Sequence, residues 1–387
     1  CSCSTLAMAT TKLGLQPRPG LLAASYKAIL ITLIQAIAGS VRYGGALYHQ
    51  LRKPPHSPDL VKTYECRPSL SVRVFFPRSW DQESLKNLPC FFNIHGGGFC
   101  LGSPEDDDAW SRAFSDMHHV LVVELDYRKA PAHPFPTPIF DIQALMLAAY
   151  KDASLPIDKQ RIAVGGFSAG GNLSMAVCQL PLVRDTIKPA AVVPMYPSLD
   201  QSIPAQDKIQ NRQYKPALQG MRGSPTDYLT RISPLFRWSY IPYGQPLKDP
   251  LLSPIYAPRD TFPPNIFIMA CELDQLSHEA WRMASRLAHR PEPIQGQKVG
   301  QDTPNKTPGA MILDDERFAF EHVDDDGRRV RWLLIPDQVH GFDLIPERMH
   351  GDATSFKDAQ TKKTEFQRIM GEWLHEKAWK PSNLDSA

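Results

Sequence analysis

A strand-like run at residues 161–164 breaks into Gly166-Phe167-Ser168-Ala169-Gly170, and a helix-like run follows at residues 170–180. No other stretch limits the fold so tightly. A serine flanked by glycines between a strand and a helix sits on a tight, strained turn that lifts its hydroxyl clear of the sheet. Gly166 and Gly170 permit the close packing such a turn needs. Taken alone, the turn could be purely structural. Taken with its strand–turn–helix setting, it makes Ser168 a candidate nucleophile.

The rest of the chain alternates in the same way. Strand-like runs at residues 70–76, 90–94, 120–125, 190–195, 265–270 and 330–335 are interleaved with helical spacing at 140–150 and at Leu276, Ala280, Met283 and Leu287. Phe366, Ile369, Met370, Trp373 and Leu374 mark a last amphipathic helix. The pattern predicts an α/β fold with a mostly parallel central sheet flanked by helices. Residues 1–60 read as an N-terminal helical cap segment, 61–199 as the first part of the core, 200–262 as an inserted cap and 263–387 as the second part of the core. The insertion is rich in proline but also in aromatics, including Tyr214, Phe236, Trp238 and Tyr240, which argues for packed short helices rather than a linker. Residues 290–329 are polar, end in a hairpin signal at Asp326-Gly327, and are expected to form a partly mobile surface excursion.

Directly after the run at residues 90–94 comes His95-Gly96-Gly97-Gly98-Phe99. Successive glycines let backbone N–H groups approach a substrate oxygen without side-chain interference. Gly97 and Gly98, with the N–H of Ala169, are candidate oxyanion-hole donors, each worth about 3–4 kcal/mol to a transition state. A phosphate cradle is the rival reading, but the Gly-Lys-Ser/Thr continuation of a P-loop is missing. His95, placed before the loop, suits a structural hydrogen-bonding role better than that of a base, and Gly96 is expected to support the loop.

These two motifs and the segment running from Asp126-Tyr127-Arg128-Lys129-Ala130-Pro131 to Pro136 resemble the hormone-sensitive lipase family of α/β hydrolases, whose members pair an HGGG loop with a G-x-S-A-G-G-N turn. The resemblance covers residues 70–200 well and 265–345 in pieces. It implies the α/β-hydrolase fold and a triad in the chain order Ser…Asp/Glu…His. Glu272-Leu273-Asp274-Gln275-Leu276 is similar to the family's acidic segment and maps the acid onto Asp274, with Glu272 as its rival. Val339-His340-Gly341-Phe342 is similar to the family's terminal H-G-F and makes His340 the base. The chain departs from the pattern at Gln275 and His278, and at Phe167, where the two main branches carry Asp or Thr. Contacts around the turn must therefore differ.

The function this resemblance implies is hydrolysis of a small to medium, largely apolar carboxylic ester through an acyl-enzyme, with neither metal nor organic cofactor. A tailoring hydrolase or acyltransferase with a dedicated substrate is one alternative, and product analysis with added alcohols would separate it. A non-catalytic ligand receptor on the same scaffold is another, disfavoured by the intact Ser168, Asp274 and His340. With 43 basic against 41 acidic residues, the net charge of +2 implies no nucleic-acid partner. The acids at Glu105-Asp106 read as a helix start after Ser103-Pro104, and those at residues 324–326 as a turn, so neither is a metal site. Seven cysteines at irregular spacing read as reduced, mostly buried thiols. Asn305-Lys306-Thr307 matches a glycosylation sequon.

The mostly apolar stretch at residues 21–38 has only 11 uninterrupted residues, 28–38, against about 20 for a membrane span. It is expected to pack on the protein itself and, with the cap, to help build an apolar pocket. Contact with a membrane surface is the sharper alternative. Met8 is expected as a natural start, with residues 1–7 extraneous. The chain is expected to be cytoplasmic or membrane-associated, and a homodimer is allowed.

Overall fold

The structure is a computed structural model that describes residues 14–81 and 86–380, the side chain of Gln50 excepted. The expectations for Cys1, Cys3 and the start at Met8 lie outside the described residues. Nine strands form one sheet: β1 (Leu60–Tyr64), β2 (Arg67–Phe75), β3 (Leu88–Ile94), β4 (Leu121–Leu125), β5 (Ile157–Phe167), β6 (Ala191–Met195), β7 (Asn265–Cys271), β8 (Ala319–Val323) and β9 (Arg329–Ile335). Their order is β1-β2-β4-β3-β5-β6-β7-β9-β8. The six central strands from β4 to β9 run parallel, whereas β2 is antiparallel to β4 and β8 to β9. Every residue of β3 and β7 is buried. Strands covered on both faces need such continuous apolar runs, and so these were legible.

The longer helices are α1 (Leu21–Leu51), α2 (Asp108–His118), α3 (Thr137–Lys151), α4 (Ala169–Cys178), α5 (Tyr228–Tyr240), α6 (Ser277–Leu287) and α7 (Ala353–Trp373). The acids after Ser103 do start a helix: Ser103 and Asp106 form a capping box with Pro104 in the first turn, leading into α2. α4 is buried along its whole length, and a Cβ on Gly170 would lie 1.9 Å from the Ile94 carbonyl oxygen. Only glycine lets the start of α4 press so closely on the end of β3. All five cysteines within the described residues are free thiols, and four of them are buried.

Three expectations are corrected. α1 is one continuous helix of 31 residues, and its stretch Leu21–His49 is long and apolar enough to cross a membrane, against the expectation of an 11-residue apolar run too short for that. Only one side of it is seated: Ile31 is fully buried, Leu30 and Ile34 pack on the core, and Gln35 Nε2 donates to the carbonyls of Cys100 and Ala130 at 2.9 and 2.8 Å. The remainder faces outward, with Leu22 90% exposed and Ile37 65% exposed. Secondly, α1 contributes no residue to the lining of the main cavity, the one that opens above Ser168. Thirdly, the polar stretch of residues 290–329 is not merely a surface excursion. It contributes edge strand β8, buries Val299 and Phe318, and is tied to the core by a hydrogen bond from Gln301 N to Glu272 Oε1 at 2.7 Å.

Candidate active site

Parallel strands end together, and here their register brings the chemical residues to one edge. Ile94 pairs with Gly166, Phe167 with Met195, Met195 with Met269, and Cys271 with Ile335. The loop beginning at His95, the turn at Ser168, the segment carrying Asp274 and the loop carrying His340 therefore all leave the carboxyl ends of neighbouring strands, where open α/β sheets bind ligands.

Ser168 stands between β5 and α4 with φ 55° and ψ −111°, a conformation that costs a non-glycine residue strain. Its Oγ lies 2.8 Å from His340 Nε2, and His340 Nδ1 lies 2.7 Å from Asp274 Oδ2. A neutral His340 then carries its proton on Nδ1, donates it to the carboxylate, and leaves Nε2 to accept from the serine. The second oxygen of Asp274 accepts from Leu276 N at 2.9 Å, so the fully buried carboxylate is held at both ends. Burial opposes charge on His340, but the neighbouring Asp274 carboxylate outweighs it and raises the imidazole pKa above the ordinary value of 6.5.

Glu272, the rival acid, faces elsewhere. Its oxygens accept from Lys215 Nζ at 2.7 Å and from the backbone N–H groups of Asp337 and Gln301 at 2.8 and 2.7 Å. Lys215, fully buried, also donates to Asp337 Oδ1 at 2.7 Å. One ammonium from the 200–262 insertion thus joins the segment two residues before Asp274 to the segment three residues before His340.

Gly97 has φ +111°, and a Cβ there would fall 2.2 Å from the Leu101 carbonyl oxygen. The turn is closed through the Gly97 carbonyl, which accepts from Leu101 N at 2.9 Å. Gly96 lies against the serine: a Cβ on it would be 3.5 Å from Ser168 Cβ. Ala169 opens α4, where N–H groups have no partner within their own helix. The structure therefore brings the Gly97–Gly98 loop and the start of α4 to the same serine. His95 is buried beneath the loop, its Nδ1 2.7 Å from the Gly96 carbonyl and its Nε2 3.3 Å from Asp126, with its ring stacked on Tyr127. Burial, aided by Lys129, lowers its pKa.

Several neighbours carried no motif in the sequence. Phe167 meets Trp110 edge-on and packs against Tyr196, whose ring lies 4.9 Å from that of His340 and whose hydroxyl donates to Asp343 at 2.8 Å. An aromatic wall occupies the place where a polar residue before the serine would sit. Asp227 caps α5 through Leu229 N and also accepts from Gln275 N, both at 2.9 Å, and Tyr228 donates to the His340 carbonyl at 3.3 Å. The aspartate before an amphipathic run was a readable cap signal. Tyr196 and Lys215 had no local signal at all.

Above the serine lies a cavity of about 790 Å³. Its roof is α5, through Leu229, Ile232 and Phe236, and one wall is formed by Leu344, Ile345 and Met349. Among the described residues, His289, His322 and Asp324 form a group close enough to hold a metal ion, outside that cavity's lining.

A nine-stranded, largely parallel sheet with a serine on a strained strand–helix turn, a histidine and an acid in line behind it defines the α/β-hydrolase class. Residues 91–301 match the family described as having the alpha/beta hydrolase fold, and the chain belongs to it, with the motifs of its hormone-sensitive-lipase-like members. It is similar to an arylesterase of Saccharolobus solfataricus, 33% identical over 220 residues, covering 56% of this chain and 66% of that protein. It is also similar to carboxylesterase NlhH of Mycobacterium tuberculosis (36% over 179 residues, 43% and 54%) and to arylacetamide deacetylase of Mus musculus (34% over 166 residues, 40% and 41%). These matches span less than two thirds of each relative's length. Among solved structures, a Pyrobaculum calidifontis esterase superposes over 94% of this chain and 100% of its own, with TM-score 0.60 and 21% identity.

Proposed function

We propose that this protein is a serine carboxylic-ester hydrolase that takes small to medium, largely apolar esters. The observation that carries the reading is the unbroken line Asp274–His340–Ser168 opening into a mainly apolar cavity. Ser168 Oγ attacks the ester carbonyl while His340 Nε2 takes its proton. The N–H groups of Gly97, Gly98 and Ala169 hold the oxyanion. The tetrahedral intermediate collapses as His340 returns the proton to the leaving alcohol, giving an acyl-enzyme. Water, deprotonated by the same histidine, then releases the acid. Asp274 holds the imidazole in the required tautomer and stabilises its cation. The similarity to proteins named arylesterase and carboxylesterase supports the same reading.

The test is hydrolysis of p-nitrophenyl esters from acetyl to dodecanoyl, with Ser168→Ala in parallel. Turnover by the wild type that drops by about 10⁶ in the variant is the expected result. Wild-type protein that is folded, inactive on every ester and unlabelled at Ser168 by a fluorophosphonate would sink the proposal. The outward apolar face of α1 supports a further part of the reading, contact with a membrane surface.

A further inference from the structure

The charged side chains around the cavity are Asp106, Asp107, Lys208, Arg237 and His340. Four have committed partners. Asp106 accepts from Ser103 N at 3.0 Å, and Asp107 accepts from Asn93 Nδ2 at 3.1 Å. Lys208 is 2.5 Å from Glu279, and His340 holds Asp274. Arg237 differs. Its Nη1 donates to the Gln201 carbonyl and its Nε reaches Gln16 Oε1 at 3.4 Å, both neutral acceptors. The acid whose charge bears on it, Asp200, is already engaged by Arg282, Ser202 and Tyr256. Among the described residues no carboxylate forms an ion pair with Arg237, and its Nη2 has no hydrogen-bond partner.

A partly desolvated cation left without an anion is unfavourable, and desolvation lowers the pKa of this guanidinium. Its position gives that cost a use. Arg237 follows Phe236 on α5, and the Phe236 ring presses on the oxyanion loop: a Cβ on Gly98 would be 2.1 Å from it. Arg237 lines the same cavity as Phe236, and its bond to the Gln201 carbonyl places it beside Gln201 of that lining. With Nη2 free and Nε held only by a long contact to a neutral amide oxygen, the guanidinium can take a carboxylate oxygen in a charge-assisted hydrogen bond. A phosphate dianion would bring one more negative charge than this single cation balances.

Building on the ester-hydrolase reading, we propose that Arg237 forms an anion subsite, so that the preferred substrate is an ester whose far end carries a carboxylate. Lys208, the other basic side chain of the lining besides His340, is committed to Glu279, leaving Arg237 to the ligand.

The experiment compares matched esters: ethyl hydrogen dicarboxylates from succinate to sebacate against ethyl esters of monocarboxylic acids of equal chain length. A second pair, 4-acetoxybenzoate against its methyl ester, places the carboxylate on the alcohol side. Wild type should favour the carboxylate member of at least one pair in kcat/KM. That ratio should fall at least tenfold in Arg237→Met and less in Arg237→Lys, which keeps the charge without the fork. No carboxylate preference in the wild type, or a preference unchanged in both variants, overturns the subsite. If wild type cleaves neither member of any pair, Ser168→Ala protein is titrated with the same half-esters. Binding lost on adding Arg237→Met keeps the subsite while the hydrolase reading falls, and absence of binding removes the subsite.

Discussion

At the scale of single residues, the imidazole of His340 sets the pH behaviour. Protonated, it cannot accept the Ser168 proton, so turnover is lost as pH falls through its midpoint. Burial opposes the cation, but Asp274 raises that midpoint above 6.5. The acid limb of kcat/KM, measured on p-nitrophenyl butyrate, should therefore lie above pH 6.5. Asp274→Asn should move the limb to lower pH and reduce kcat by about 10⁴, since an amide cannot hold the productive tautomer. A limb unmoved by the substitution would mean that Asp274 does not set the charge of His340. The subsite proposed for Arg237 belongs to the same scale and bears on choice of substrate.

At the scale of elements, the Lys215 ammonium is the joint between the insertion and the two loops that hold the acid and the base. Lys215→Met leaves Glu272 and Asp337 facing each other without a cation in a dry site. Urea unfolding should show a loss of about 3–5 kcal/mol. Adding Glu272→Gln and Asp337→Asn removes the stranded charges and should recover part of it; no recovery would assign the loss to packing instead. Elements differed in how plainly the sequence announced them. β3, β7 and the Ser168 turn were legible because burial on both faces and a strand–turn–helix junction leave local marks. β8 was not, because Ala319–Val323 is a partly exposed edge strand inside a polar stretch. α1 was underestimated because Gly39, Gly44 and Gly45 interrupt its apolar pattern without ending the helix. Ser168, Asp274 and His340 could be read from motifs, whereas Tyr196, Lys215 and Arg237 owe their places to tertiary packing.

At the scale of the whole molecule, α1 gives the protein an unusual outline. Leu22, Tyr26, Ile29, Leu33 and Ile37 follow one another at helical spacing and are all exposed, while Ile31 and Gln35 fasten the opposite side to the body. A helix of 31 residues is about 45 Å long, and its stretch Leu21–His49 is long and apolar enough to cross a membrane; the seating of Ile31 and Gln35 on the body is the observation behind the proposed surface contact. The protein should co-sediment with phosphatidylcholine vesicles, and Leu33→Asp with Ile37→Asp should abolish this. Wild type left in the supernatant would remove the membrane contact from the proposal. The Lys215 joint carries a different consequence at this scale, for anyone who would re-engineer the molecule. The helix that roofs the cavity and the sheet that presents the serine belong to separate pieces of chain, which invites exchanging one roof for another. The roof segment, however, also supplies the countercharge for two acids rooted in the sheet. A transplanted roof would have to bring its own lysine to that spot, or arrive with both acids already neutralised.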